Sequence, residues 1–214
     1  MCTLEEAQMA YESQDYDLAY TLFLRLAEGG DTEAQSSVGG MLYWGLGVAP
    51  SAEKAVFWYE QAASSGNLIA RNNLAMILLD SGPEVAMPWL LTAANDGSPF
   101  CQSSLGDIYS GCYNFPKEIA FKYSDDAVAI EWYSKASENG LASADHRLGE
   151  MYLAGQGCEP DVEKAILYFL KAAERDYKPS LEFLSKAYRE GVSGVEIDEE
   201  KASFWNSRLR EIET

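Results

Sequence analysis

A short pattern of small, apolar and aromatic positions occurs five times along the chain. In its clearest copy, residues 144–155, a small residue stands first, an apolar residue fifth and an aromatic residue ninth. Residues spaced four apart lie on one face of an α-helix. The other copies span 34–45, 70–81, 101–111 and 180–191. The pattern therefore predicts the first helix of a repeated unit about 36 residues long.

A second pattern begins with alanine, continues with two adjacent aromatic residues, and ends with two alanines and a glycine. Its copies span 19–30, 55–66, 86–97, 129–140 and 165–176, and a last copy opens at Ala202. The alanine and aromatic positions form an apolar stripe of helical period, so the pattern predicts a second helix. We expect the recurring aromatic stripe to be core. Its members are Trp58, Tyr59, Trp89, Trp132, Tyr133, Tyr168, Phe169 and Trp205.

The two patterns together predict a helix-loop-helix unit that cannot bury its apolar stripe alone. Ser51 and Asp161 precede the second helix of two units, and both are residue types that cap helix N-termini. No alternating run of β-branched residues predicts a strand. We therefore predict an all-α solenoid, one domain over 1–214, built of about six repeats. The predicted repeats are 1–33, 34–69, 70–100, 101–143, 144–179 and 180–214, of which the first and last are caps.

Three features together make the chain resemble the Sel1-like repeat family: the first pattern, a Gly-x-Gly loop, and a second pattern that opens with Lys-Ala. The loop occurs at 45–47 and 155–157, and Lys-Ala stands at 54–55, 164–165 and 201–202. The resemblance covers nearly the whole chain. It implies a right-handed α/α superhelix, related to the tetratricopeptide repeat, that scaffolds protein–protein contacts and is usually not catalytic.

Two copies depart from the pattern. The third is short, and Pro88 lies inside its second helix, where it should remove a backbone hydrogen bond or delay the helix start. The fourth is long because its loop runs over 112–126 without Gly-x-Gly, and this loop holds Lys117 and Lys122, two of the three basic residues between 101 and 143. A long loop in a regular array favours a contact with a partner, with family drift as the alternative. Its aromatic candidates are Tyr113, Phe115, Phe121 and Tyr123.

The chain is strongly acidic, with 34 acidic and 16 basic residues and a net charge of −18. This charge argues against binding of nucleic-acid backbones and of anionic membranes, and no apolar run is long enough for a membrane span. The first 33 residues hold eight acids and one base. This end is either a solvated terminal repeat or a dock for a basic partner. The candidates for such a dock are Glu5, Glu6, Glu12, Asp15 and Asp17.

Few residues offer catalytic or metal chemistry. His146 is the only histidine and stands four residues before Glu150, but without a nucleophile or a phosphate loop we interpret it as a surface histidine. The cysteines, which show no Cys-x-x-Cys spacing, are Cys2, Cys101, Cys112 and Cys158. We predict no catalytic residue, cofactor or metal. Scattered thiols favour the cytoplasm, with a periplasmic lipoprotein as the alternative if Cys2 is the mature N-terminus.

The third, fourth and seventh positions of the first pattern point away from the predicted core, so they should line a concave face. Tyr43 and Trp44 lie off the core stripe near the loop, and such aromatic residues dominate interface energetics. The other partner-binding candidates on this face are Ser36, Ser37, Gly40, Asn72, Asn73, Met76, Ser103, Ser104, Asp107, His146, Arg147, Glu150, Phe183 and Lys186.

These observations favour a non-enzymatic protein–protein interaction module. It would bind a partner with a basic surface through the concave face and the acidic N-terminal end. One alternative in the same fold is an immunity protein that neutralises a bacterial toxin, because an acidic surface complements a basic toxin. A hydrolase of the β-lactamase type is the weaker alternative, because no Ser-x-x-Lys stands in a suitable context. A toxin domain in a neighbouring reading frame would favour the immunity protein.

Overall fold

The structure is a computed structural model that describes residues 3–112 and 122–212. These ranges contain twelve α-helices, one 3-10 helix at Val192–Gly194, and no strand. The α-helices are α1 (Leu4–Glu12), α2 (Tyr16–Glu28), α3 (Thr32–Trp44), α4 (Ala52–Ser64), α5 (Leu68–Leu79), α6 (Pro83–Asn95), α7 (Pro99–Tyr109), α8 (Asp126–Glu138), α9 (Ala142–Ala154), α10 (Val162–Ala173), α11 (Lys178–Glu190) and α12 (Glu199–Glu211). Each repeat supplies one pair of helices, so the predicted all-α solenoid of about six helix pairs is confirmed.

Capping side chains and glycines set the helix boundaries. Ser51 and Asp161 accept hydrogen bonds from backbone N–H groups in the first turns of α4 and α10, as predicted. Gly45 and Gly155 end α3 and α9 in the left-handed conformation, with φ of 71° and 68°. From the second repeat on, each first helix begins two residues before the predicted repeat start. The small residue that opens the first pattern is the third residue of the helix.

The helices form two compact units, Met1–Asp96 and Gly97–Thr214, which we call unit 1 and unit 2. Unit 1 contains α1 to α6, and unit 2 contains α7 to α12. Within each unit, every helix packs against the next helix along the chain, and α3 also contacts α5. The first helices of neighbouring repeats therefore lie close together in unit 1.

A glycine of the first helix packs against an aromatic ring of the second helix in three repeats. A Cβ added at this glycine would lie only 2.6–2.9 Å from the nearest ring atom, so no larger residue fits without movement. The pairs are Gly39 with Tyr59, Gly106 with Tyr133, and Gly149 with Phe169. This close approach buries the aromatic ring in the centre of the repeat.

The two positions of the aromatic stripe differ in burial, which corrects the prediction that the whole stripe is core. The second position is core: Tyr59, Tyr133 and Phe169 are 2% exposed or less. The first position is half-buried at Trp58, Trp89, Tyr168 and Trp205, although Trp132 is buried. Adjacent residues on a helix point about 100° apart, so only one of two neighbours can face the glycine of the first helix.

Pro88 does not delay the start of its helix, which was one of the two outcomes predicted for it. The helix α6 begins at a different proline, Pro83. A proline is tolerated in the first turn because a backbone N–H there would have no partner within the helix. The helix then continues through the exposed Pro88 to Asn95. The third repeat is short because its loop is reduced to residues 80–82.

A polar side chain at the second position of the first pattern ties neighbouring repeats together, a feature that the sequence analysis did not predict. The Gln35 side-chain amide donates to the carbonyl of Ala27 at 3.3 Å. Arg71 donates to the carbonyl of Ala63 at 3.4 Å. Each contact joins the first helix of one repeat to the end of the helix before it, eight residues earlier in the chain.

Asp145 occupies the same position in unit 2, where it forms a buried ionic cluster. Its side chain is fully buried and accepts a hydrogen bond from Ser137, again eight residues earlier. Lys171 Nζ lies 3.0 Å from one carboxylate oxygen, and Arg175 pairs with the other. Two cations and a hydroxyl thus compensate the loss of solvation of the buried carboxylate, so we assign Asp145 a structural role.

Candidate functional site

A cleft of about 380 Å³ lies between the first helices of the first three repeats, entirely within unit 1. Buried residues of α2, α3 and α4 form its base. The main lining residues are Gln8 and Tyr11 of α1, Glu33, Ser37, Gly40 and Trp44 of α3, and Ile69 and Asn73 of α5. A cavity of this size fits the side chains of a partner, because ligand pockets in proteins typically span about 300–1,000 Å³.

The cleft is open because α3 carries small residues where it faces α1 and α5. Ser36, Ser37 and Gly40 occupy the third, fourth and seventh positions of the first pattern, and all three line the cavity. Ser36 is buried, whereas Ser37 and Gly40 are half-buried. The sequence analysis placed these positions on a partner-facing surface, and that assignment to partner binding stays a prediction.

Tyr59 forms part of the base of the cleft and holds Asn73 in place. The Asn73 amide nitrogen donates to the Tyr59 hydroxyl oxygen at 3.3 Å. Burial raises the pKa of Tyr59 to about 12, although the hydrogen bond with Asn73 opposes that rise. The phenol is therefore neutral at physiological pH.

Trp44 is the most exposed aromatic residue that lines the cleft. Its side chain is 74% exposed, and the neighbouring Tyr43 packs edge-to-face against it with ring centroids 5.0 Å apart. Tyr43 is 36% exposed and does not line the cavity itself. Of these two predicted anchors, the structure therefore brings Trp44 into the cleft and leaves Tyr43 beside it.

Of the eight main lining residues, four were absent from the sequence-based candidates: Gln8, Tyr11, Glu33 and Ile69. Gln8 and Tyr11 lie in α1, which does not carry the first pattern. Glu33 and Ile69 each stand one residue before the pattern begins. A second helical stripe, Glu33-Ser37-Gly40-Trp44 with spacings of four, three and four residues, contains the signal that would have found Glu33.

Unit 1 has far more carboxylates than cations. It contains thirteen acidic residues and three basic ones, Arg25, Lys54 and Arg71. Arg71 is already paired with Asp96. Most of the carboxylates of unit 1 therefore have no basic side chain available within the unit, and its surface attracts cations.

The five acidic candidates at the N-terminal end divide into two groups. Glu6 forms a capping box with Thr3, and Asp15 caps α2 by accepting from the backbone N–H of Leu18, so both stabilise helix starts. The remaining three do not cap a helix start: Glu5, Glu12 and Asp17. Of these, Glu12 accepts a hydrogen bond from Gln8 on the same helix.

On the corresponding face of unit 2, charged side chains bridge the first helices. The Tyr133 hydroxyl donates to Asp107 at 2.7 Å, and Arg147 lies 3.8 Å from the same Asp107 oxygen. Arg147 also donates to Glu150 at 2.9 Å. Burial raises the pKa of Asp107, while the Tyr133 hydrogen bond and the Arg147 charge oppose the rise. The contacts with His146 and Arg147 hold the pKa of Glu150 below its usual value.

His146 is largely covered, which corrects its interpretation as a surface histidine. Only 13% of its side chain is exposed, since the ring packs against Phe169 and Tyr177. Its Nδ1 lies 2.8 Å from the Ser180 hydroxyl oxygen, and its Nε2 lies 3.5 Å from a Glu150 carboxylate oxygen. His146 therefore joins the fifth repeat to the sixth, and its position in the sequence pattern could not show that Phe169 of α10 and Tyr177, just before α11, cover it.

The other predicted candidates do not line the cleft. Asn72 is half-buried and Met76 is exposed on α5, outside the set that lines the cleft. Tyr123 is half-buried, with Lys122 Nζ 5.1 Å from its ring centroid. The candidates Tyr113, Phe115 and Phe121 lie outside the described residues, as does Cys2.

Within residues 3–112 and 122–212, no three His, Cys, Asp or Glu side chains are grouped closely enough to hold a metal ion. Over the same ranges, every helix is too short or too polar to cross a membrane.

The family model described as Sel1 repeat matches residues 8–31, 32–67, 117–141, 142–177 and 179–205. A protein of Neisseria meningitidis serogroup B is 29% identical over 160 residues, which are 75% of this chain and 33% of that protein. Chitin synthase regulatory factor 3 of Schizosaccharomyces pombe is 26% identical over 200 residues, which are 90% of this chain and 21% of that protein. The chain thus spans a third or less of the length of these relatives.

Solved structures show the same fold. A Sel1 repeat protein from Oxalobacter formigenes has a TM-score of 0.75 and 21% identity, over 98% of this chain and all of that chain. A protective antigen of uropathogenic Escherichia coli with an SLR fold has a TM-score of 0.77 and 29% identity, over 98% of this chain and 48% of that chain. An immunity protein of Pseudomonas aeruginosa has a TM-score of 0.63 and 18% identity, over 100% of this chain and 87% of that chain. The matched repeats cover more than half of the sequence, and the chain belongs to the Sel1 repeat family.

Proposed function

We propose that this protein binds a partner protein through the cleft of unit 1, without catalysis, and that the partner presents a basic surface. The observation that carries the proposal is an open cleft with an exposed tryptophan, in a unit with thirteen acidic and three basic residues. Sel1 repeats generally serve as interaction scaffolds, which fits this reading.

The aromatic side chains support the same surface. Trp44 and Tyr11 line the cleft and are 74% and 38% exposed, and Ile69 on the opposite helix is 66% exposed. Tryptophan and tyrosine are over-represented among the residues that dominate binding energy at interfaces. Exposed aromatic rings in a unit rich in carboxylates give both affinity and selection for a partner of opposite charge.

A second candidate function is that of an immunity protein. Two observations favour it: the net charge of −18, and the shared fold of the solved Pseudomonas aeruginosa immunity protein, 87% of which this chain covers. At 18% identity that likeness shows the fold alone. The candidate would be supported by a toxin domain encoded beside this gene and by inhibition of that toxin in the purified pair.

The proposed function is tested by affinity capture of partners with the whole chain, followed by measurement of association rates. We expect association to slow as ionic strength rises past about 0.15 M, where the screening length is about 8 Å. The triple variant Glu5→Gln, Glu12→Gln, Asp17→Asn keeps the helix caps of Glu6 and Asp15, and it should reduce the association rate more than it raises dissociation. A partner that binds equally fast at all salt concentrations and to this variant would contradict the role of the acidic end.

A further inference from the structure

We infer that the cleft of unit 1 receives a single arginine side chain from a basic segment of the partner. This inference rests on the proposed function and names the chemistry of its site. In this arrangement the guanidinium plane stacks on the aromatic walls, the alkyl stem contacts Ile69, and the positive charge pairs with Glu33.

The walls of the cleft suit a flat cation with an apolar stem. Tyr11 and Trp44 present exposed rings from α1 and α3, and a guanidinium is attracted to the face of such rings. Ile69 is 66% exposed on α5 and offers an apolar surface for methylene groups. An arginine side chain uses both surfaces at once, because its methylene stem is apolar and its head is charged.

The cleft offers acceptors to a cationic side chain. Glu33 is exposed in the first turn of α3 and is the one carboxylate among the lining residues, all of which lie in the described part of the chain. One N–H of the Asn73 amide donates to Tyr59, and the Asn73 carbonyl oxygen can accept a hydrogen bond from a ligand. No lysine or arginine is among these same lining residues.

Unit 2 shows how this face of the fold accommodates a guanidinium. Arg147 occupies the fourth position of the first pattern in the fifth repeat, between Asp107 and Glu150. The same position in the second repeat is Ser37, which leaves the space open. In unit 1 the cation is therefore missing from the chain itself, and a partner can supply it.

The test measures binding of a hexa-arginine peptide to the whole chain by isothermal titration calorimetry at low salt. A hexa-citrulline peptide, which has the same shape without the charge, should not bind measurably. Glu33→Gln should weaken hexa-arginine binding by about tenfold or more, because it removes the carboxylate of the cleft. The matched control Glu53→Gln removes an equally exposed first-turn charge of α4 outside the cleft, and its effect should stay below about twofold.

A second pair of variants tests the aromatic wall. Trp44→Ala should weaken hexa-arginine binding by about tenfold, because the guanidinium loses the ring. The control Phe57→Ala removes another exposed ring that packs edge-to-face on its neighbour but lies outside the cleft, and it should leave binding unchanged.

Two outcomes would overturn the inference. Equal losses in Glu33→Gln and Glu53→Gln would show diffuse attraction to the acidic surface, and unchanged binding in Trp44→Ala would show that the cleft is not the site. Either result leaves the proposed function standing if the captured partner still depends on the charge of unit 1. The opposite result is also distinguishable. If the partner's association rate does not depend on the charge of unit 1 but hexa-arginine still binds in the cleft, the proposed function alone is refuted.

Discussion

The second and fifth repeats share one architecture but present opposite surfaces at three equivalent positions. Both have the Gly-x-Gly loop, the left-handed glycine at the end of the first helix and the glycine–aromatic contact. The positions hold Ser36, Ser37 and Gly40 in the second repeat, and His146, Arg147 and Glu150 in the fifth. The small set leaves a cleft of about 380 Å³, whereas the large set forms a network of hydrogen bonds and ion pairs.

The charge balance of the two units follows the same division. Unit 2 contains thirteen basic residues, and many of them are paired with its own carboxylates. Examples are Lys171 and Arg175 with Asp145, and Arg208 with Asp176. Unit 1 contains three basic and thirteen acidic residues, whereas unit 2 has 21 acidic residues beside its thirteen basic ones. The repeat fold thus tolerates either a face bridged by ion pairs or an open one, and side-chain size and charge at a few positions decide between them.

The largest expected difference between the two faces concerns their buried tyrosines. Tyr133→Phe should destabilise the protein by about 1–3 kcal/mol, because the half-buried Asp107 carboxylate loses its 2.7 Å donor. Tyr59→Phe loses only the 3.3 Å bond from the neutral Asn73 and should cost about 0.5–1.5 kcal/mol. Urea unfolding of both variants measures the difference. Equal losses would mean that the Asp107 network contributes no more than the base of the cleft.

The second prediction converts the open face into the closed one. The double variant Ser37→Arg, Gly40→Glu places in unit 1 the residues that form the Arg147–Glu150 pair in unit 2. It should weaken hexa-arginine binding by about tenfold, or about 1.4 kcal/mol, because the new arginine occupies the cleft.

This double variant carries its own controls. Its net charge is unchanged, so weaker binding cannot come from a loss of overall attraction. A Cβ at position 40 would approach only the Tyr59 hydroxyl, at 3.3 Å, so circular dichroism should show the fold intact. If the folded variant binds hexa-arginine as tightly as the unmodified protein, the cleft is not the peptide-binding site.

The third prediction concerns the alkaline stability of the two tyrosines, which has no effect at neutral pH. The pKa of Tyr59 is raised to about 12 by burial, and that of Tyr133 is raised further because the charge of Asp107 adds to burial. Above pH 10 the unfolded chain loses these protons while the folded chain keeps them, so the free energy of unfolding falls as pH rises toward 12. At neutral pH neither group contributes to this dependence.

Urea midpoints measured at several pH values between about 9 and 12 test this expectation. In Tyr59→Phe the decline should be shallower than in the unmodified protein, and the part caused by Tyr133 should remain. A variant whose decline is as steep as that of the unmodified protein would show that Tyr59 titrates normally in the folded state.

The candidate site was predictable only in part. The sequence pattern placed Trp44, Ser37, Gly40 and Asn73 away from the core, and they do line one cleft. It could not place Tyr11 there, because α1 does not carry the first pattern and its contacts with the following repeats therefore cannot be predicted from that pattern. It also grouped His146 with the exposed candidates, although rings that follow later in the chain cover it.

The sequence by itself determined the repeat, its helical period, the ends of its helices and the sign of the charge. These properties depend on residues close together in the chain, whose spacing and capping chemistry act locally. Only the tertiary structure decided which aromatic residues of the stripe are core, which polar side chains form hydrogen bonds between neighbouring repeats, and which face is open. Those outcomes depend on contacts between different helices, and small differences in side-chain volume across the contact determine whether two helices enclose a cavity or fill it.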